Sequence, residues 1–241
     1  MSLPDINADL NQMSVVTTAS MPWESSPSGT VWRKPLYRQS GEFGPVTSLV
    51  RYTAGGSFAA HFHPEGEEIL VLEGVFSDEY GDYSAGSYLL NPDGSRHAPF
   101  SKSGCKLFVR LRQYAGAQRL RVALNTATLN WLAGSVSGLM VKPLYSQAAY
   151  PEQMALVRWE PDTRFPRHRY PGGGEILVLE GQLEDEYGCY PAGTWIRHPS
   201  WSQHAPFSRQ GCLLYVRIGG PAPGRTPWIG YTIAVENTAP G

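Results

Sequence analysis

The sequence predicts an all-β protein in which one fold is built twice. Three observations carry this. Glycine (26) and proline (20) are abundant among the 241 residues while charged residues are only 17%, a balance that suits short strands and tight turns. No stretch in the body of the chain keeps a helical period. Four motifs also recur in the same order: KPLY at Lys34–Tyr37 and Lys142–Tyr145, LVR at Leu49–Arg51 and Leu156–Arg158, EILVLEG from Glu68 and Glu175, and HAPFS from His97 and His204. Aligned without gaps, residues 47–110 and 154–217 agree at about half their positions, too many for chance.

The duplication sets the expected organisation: a tail over 1–12, one unit over 13–118, a second over 119–221, and a tail over 222–241 in which Trp228–Val235 can add a strand. The residues before Pro22 are the one place where a short helix is expected. Ile69–Leu72 is an apolar run bounded by Glu-Gly and reads as a buried strand. Tyr80-Gly81 and Tyr187-Gly188 read as hairpin turns, and Asn91-Pro92-Asp93-Gly94 is a strong turn signal. Lys106–Leu111 reads as a further strand.

Composition excludes several classes of function. A net charge of −1 gives no electrostatic footprint for nucleic acid or an anionic membrane surface. No apolar run spans a bilayer, and the N-terminal residues lack the apolar core of a secretory signal. Three cysteines with no CxxC pair fit a reducing compartment, so a cytoplasmic location is expected. Cys105 and Cys212 occupy matching positions and are expected as buried free thiols.

The chemistry lies where the copies differ. The first reads HFHPEGEEILVLEG and the second HRYPGGGEILVLEG. His61 and His63 are two apart, so on a strand they share a face. Glu67 lies an even number of residues further on and joins that face if strand geometry survives the Pro64–Gly66 bend. Glu68 then points away, and it persists as Glu175 where Glu67 is lost, so a role independent of metal suits it. His97 completes a His₃Glu set from a neighbouring strand. Imidazole nitrogens suit Zn, Fe, Ni or Cu. In the second copy Tyr170 stands for His63 and Gly174 for Glu67, leaving His168, Glu175 and His204 as a weak remnant, with a stray His198. Trp201 stands for Gly94 and is expected to fill space there. Arg51, Arg110, Arg158 and Arg217 repeat between the copies. They read as salt-bridge partners of residues such as Glu73, Asp78 and Glu79, or else as the lining of an anion pocket.

The first copy resembles the cupin family. Gly55, His61, His63, Glu67 and Gly74 fit its first motif, and Gly86, Pro92, Gly94 and His97 its second; the usual final Asn is Ser101 here. The run from His63 to Pro99 is similar to the ChrR-type cupins. The resemblance implies two tandem jelly-roll (double-stranded β-helix) barrels, a bicupin. It implies one divalent metal per chain, Zn or Fe(II), with Mn or Ni also compatible, on His61, His63, Glu67 and His97. It also implies either of two functions. One is an Fe(II)-dependent dioxygenase that cleaves a small diketone or related carbonyl compound, with no separate acid or base identifiable. The other is a non-catalytic zinc-binding sensor like the C-terminal domain of the anti-sigma factor ChrR. The helical, CxxC-bearing anti-sigma domain has no counterpart here, so a sigma factor is not the expected partner; a small-molecule ligand and a homodimer are. A storage bicupin is a third reading, poorly served by a ligand-bearing first copy. A live site is expected to keep a cavity for a ligand of roughly 300 Å³ or less.

Overall fold

A computed structural model describes residues 3–41 and 43–219. The Trp228–Val235 segment lies outside them. The described residues are built of strands, with two three-residue 3-10 helices at Thr18–Ser20 and Thr126–Thr128. Both units are jelly-roll barrels, as the turn-rich, duplicated sequence requires. The short helix expected before Pro22 is the 3-10 turn Thr18–Ser20; the residues ahead of it, Ser14–Thr17, form a strand whose alternating burial shows a β period of two.

In the first unit the large sheet runs in the order Val122–Asn125, Ser87–Asn91, Glu67–Asp78, Cys105–Leu111, Val46–Tyr52, Val31–Arg38, Glu24–Ser25. The 12-residue strand Glu67–Asp78 organises the barrel. Its first half lies between Ser87–Asn91 and Cys105–Leu111, and its second half pairs with Gly81–Ser84. The change of partner occurs at Gly74, where φ is +73° and a β carbon would lie 2.1 Å from the Gly104 carbonyl oxygen, so only glycine fits. Gly181 repeats this geometry in the second unit.

Strand alternation decides which side chains face inward. Ile69 and Val71 join Val31, Val50, Leu107 and Val109 in the barrel core, and Glu67 shares their parity. Glu68 faces the opposite way. There it accepts hydrogen bonds from Tyr88 Oη (2.9 Å) and from Tyr114 Oη, with Arg110 Nη1 3.8 Å away. Its role is to satisfy this buried polar cluster, independent of any metal.

The second unit repeats the plan around Gly174–Asp185, paired with Thr194–His198 and Cys212–Ile218. The compact units and the sequence repeats differ at their ends. Residues 3–8 and Ser20–Leu129 form one unit, whereas Asp9–Ala19 and residues 130–219 form the other. Ser14–Thr17 pairs antiparallel with Thr194–His198, and Val122–Asn125 pairs the same way with Ser87–Asn91. Each strand that opens a repeat covers the sheet edge of the other repeat's unit, an edge that would otherwise expose unpaired backbone groups.

Candidate metal centre

The two-stranded ribbon of His61–His63 and Ser95–His97 carries three histidines. Its antiparallel register sets His97 directly opposite His61 and Ser95 opposite His63. Period-two alternation then turns all three imidazoles to one face. Their ligating nitrogens all lie within 4.8 Å of one another, a group that could hold a metal ion. Glu67 Oε2 lies 3.4 Å from His63 Nε2 and 3.5 Å from His97 Nε2, so the Pro64–Gly66 bend preserves its facing.

Neighbouring groups fix which nitrogen each histidine presents. His61 Nδ1 donates to the Ala59 carbonyl oxygen at 2.9 Å, and His97 Nδ1 donates to Asp78 Oδ2 at 3.2 Å. Nε2 is left as the ligating atom in each. His63 Nε2 and His97 Nε2 are buried without a hydrogen-bond partner. Two imidazole lone pairs and a carboxylate oxygen facing one another repel unless a cation or proton lies among them, so this donor set fits a metal.

The electrostatics agree. Burial, reinforced by His97 and His61, pushes the pKa of His63 down to about 3, which keeps it neutral and ready to ligate. Burial also lowers that of His61. Burial pulls His97 the same way, but the Asp78 hydrogen bond and the charges of Glu67 and Asp78 outweigh it, and its pKa is raised. Burial raises Glu67 despite His97 and the hydrogen bond from Asn91 Nδ2 (3.0 Å). Asp78 and Asn91 support the centre, a role that the sequence alone does not assign them. A signal for Asp78 is present all the same: the DEYG run that contains it recurs with Asp185, which holds His204 Nδ1 at 2.9 Å.

These groups form the floor of a cavity of about 550 Å³ whose lining comes wholly from the first unit, apolar over most of its wall. It has room for a ligand of the size expected, roughly 300 Å³ or less.

In the second unit His168 faces His204 in the matching register, and Pro166 O and Asp185 orient the two rings as in the first copy. Tyr170 changes the outcome. It is only 2% exposed, lies stacked on His198 with ring centroids 4.8 Å apart, and donates from Oη to His204 Nε2 at 2.9 Å. That bond takes the lone pair a metal would need. Gly174 is where the ring of Tyr170 requires it, since a β carbon there would lie 2.8 Å from Tyr170 Cδ1. Glu175 is not part of any remnant site: it faces outward like Glu68 and accepts from Trp195 Nε1 at 3.2 Å. Among the described residues only His61, His63 and His97 form a metal-holding group.

Two expectations are corrected here. Trp201 does not fill the barrel; its backbone takes the left-handed φ of +66° that Gly94 also takes (+77°), and its side chain is 62% exposed. The inner ring that fills the barrel is Tyr170. None of the repeated arginines lines the cavity of the first unit. Arg51 lies over the rings of Trp23 and Trp32, and Arg158 over that of Trp131. Arg110 is fully buried beside Glu68. Glu73 pairs instead with Lys106 at 3.1 Å. Cys105 and Cys212 are buried and free, as expected.

The model of the ChrR Cupin-like domain matches residues 11–115 and again 119–221. The chain belongs to this family. Comparison with curated proteins gives no match. Among solved structures this cupin is similar to a "putative dioxygenase" of Nostoc punctiforme, at 16% identity and a TM-score of 0.74, covering 96% of this chain and 88% of that one. It is also similar to the Ylba protein of E. coli (16% identity, TM-score 0.69, 88% and 93% covered). A third likeness is to a tryptophan-substituted oxalate decarboxylase of B. subtilis (11% identity, TM-score 0.63, 89% and 79% covered). At these identities the likenesses establish the bicupin fold. Among the described residues no helix is long and apolar enough to cross a membrane.

Proposed function

We propose that the first unit is the working centre of an Fe(II)-dependent dioxygenase that cleaves a small diketone or related carbonyl compound. The observation that carries this is a donor set at the floor of an open, largely apolar cavity, whereas in the second copy a buried tyrosine fills the equivalent place. A structural or sensing zinc is served by a closed tetrahedron; an enzyme keeps positions free for substrate. The likeness to the Nostoc protein supports the same reading.

His61, His63 and His97 through Nε2, and Glu67 through Oε2, would hold the metal. A bound ferrous ion supplies the Lewis acidity that favours the enolate of a 1,3-dicarbonyl and the electrons for reaction with dioxygen. Three neutral imidazoles and one carboxylate leave a divalent site at +1, which suits a singly charged enolate. Asn91 Nδ2 holds Glu67 Oε2 and Asp78 holds the His97 ring, so the set is oriented before anything binds. Ile69, Leu107 and Val109 present only hydrocarbon to the cavity and exclude water from a charged reaction.

Oxygen uptake tests this. Protein loaded with Fe(II) should consume O₂ with acetylacetone, and the Glu67→Ala protein should not. No uptake across a panel of diketones and hydroxyaryl ketones, with iron shown to be bound, would overturn the reading in favour of a zinc-binding sensor.

A further inference from the structure

The cavity holds more room than a five-carbon diketone uses, and its remaining lining has a definite chemistry. Beside the apolar residues Val50, Ile69, Leu107 and Val109 it is lined by three arginines, Arg33, Arg38 and Arg112. Arg33 is opposite Val50 in the sheet register, which turns it to the inner face, and its guanidinium lies 5.6 Å from the centre of the Phe58 ring. Burial chiefly lowers the pKa values of His61 and His63, and the charges of Arg33 and Arg112 add to this at His61 and His63 respectively. Arg38 is tied by Nε to the Pro4 carbonyl oxygen at 2.8 Å. Among the described residues, the acidic lining besides Glu67 is Glu24, at the exposed rim. Among the described residues neither Arg33 nor Arg112 is within 4 Å of a carboxylate. Arg33 is exposed and Arg112 half-buried, so both stand at the wetted wall of the cavity, where cations without a carboxylate partner favour an anionic ligand.

The duplicated chain supplies an internal control. In register, Val141 opposes Val157 as Arg33 opposes Val50, and Ser146 opposes Gln153 as Arg38 opposes Val46. Gly219 follows Arg217 as Arg112 follows Arg110. All three cavity arginines therefore have neutral counterparts in the unit whose centre Tyr170 fills. The arginines with no part in the cavity, Arg51 and Arg110, are kept as Arg158 and Arg217. Along these strands and at their ends, the arginines missing from the second unit are the ones that line the cavity of the first. They are missing together with the metal ligands, which separates a ligand-binding role from a framework role.

We infer that the substrate is an amphiphilic carboxylate: a dicarbonyl or hydroxyketone group at the histidines, hydrocarbon against the apolar lining, and a carboxylate paired with the cavity arginines Arg33 and Arg112. This rests on the reading that the metal-centred cavity is the substrate site, and it adds the recognition chemistry of the substrate's charged group.

The test is equilibrium binding to zinc-loaded protein by titration calorimetry, with 4-phenylbutanoate and 4-phenylbutanamide as probes. The carboxylate should bind roughly tenfold or more tighter than the amide, a preference that falls with added salt. In the Arg33→Gln/Arg112→Gln protein the preference should disappear while metal content and affinity for the amide stay unchanged. If that protein loses its metal, the two single variants serve, each expected to give up about threefold or more of the preference. Equal affinities in the parent protein would overturn the inference. So would a preference that survives both replacements, since the metal would then be capturing the carboxylate. No oxygen chemistry enters this readout, so failure as a dioxygenase and failure of carboxylate recognition are told apart.

Discussion

Gly174 gives the sharpest test of why the second unit differs from the first. A methyl group added there meets Tyr170 Cδ1 at 2.8 Å and Cε1 at 2.9 Å. The ring cannot move aside cheaply, because it is stacked on His198 and held by Oη at His204. Gly174→Ala should therefore destabilise the second unit by about 1–3 kcal/mol, the usual cost of overpacking a filled core, with about 1 kcal/mol more if the Tyr170 hydrogen bond is lost. No positive φ is recorded at Gly174, so the backbone itself accepts a side chain. In a Tyr170→His background the space is open, and the same Gly174→Ala change should cost almost nothing. A double-mutant cycle should then show coupling of about 1–3 kcal/mol. Urea midpoints of the four proteins give the cycle, and hydrogen exchange over Gly174–Asp185 places the effect in the second unit. Additive changes, with coupling below about 0.5 kcal/mol, would refute the claim that Tyr170 dictates this glycine.

Three further outcomes follow from the same geometry. Tyr170→His combined with Gly174→Glu completes a His₃Glu set around His168 and His204, and the bound metal per chain should rise from one to two by elemental analysis; no rise would show that His198 or the surrounding packing also blocks the site. Asp78→Asn should weaken metal binding by roughly 10–100-fold without loss of fold, because it removes the group that orients His97; an unchanged dissociation constant would remove Asp78 from the design. Burial holds the pKa of His168 down at about 4 and that of His198 at about 3, against an ordinary value of 6.5. Their contribution to stability is complete above the unfolded value and is lost as pH falls below it, at about 1.4 kcal/mol per pH unit for each. Acid melting curves of metal-free protein should show this, and His198→Asn should flatten the slope between about pH 6 and 4, the window those depressed values set; an equal slope would contradict it.

The fold and the donor set were legible because both rest on short-range rules. Period-two alternation puts His61, His63 and Glu67 on one face and Glu68 on the other. Gly74 and Gly94 mark bends that admit glycine at a positive φ, although Trp201 shows that a turn can hold a large residue there when its side chain points to solvent. What the sequence hid depends on distant neighbours. Asp78 and Asn91 reach the centre from other strands, and nothing local separates such a carboxylate from a surface one. Glu175 read as a remnant ligand because its residue type survives, yet parity turns it outward to Trp195. The repeated arginines stand out through their repetition, which marks framework; the cavity arginines are those that do not repeat. The placement of Ser14–Thr17 on Thr194–His198 is a contact across most of the chain, invisible to any local pattern.

Metal occupancy, measured on protein purified without added metal and located by anomalous scattering, tests the central claim most directly. One divalent ion per chain should lie among His61, His63, Glu67 and His97, none beside His168 and His204, and the His61→Ala/His63→Ala protein should hold none. Equal occupancy in both units, or unchanged metal content in that variant, would contradict the account.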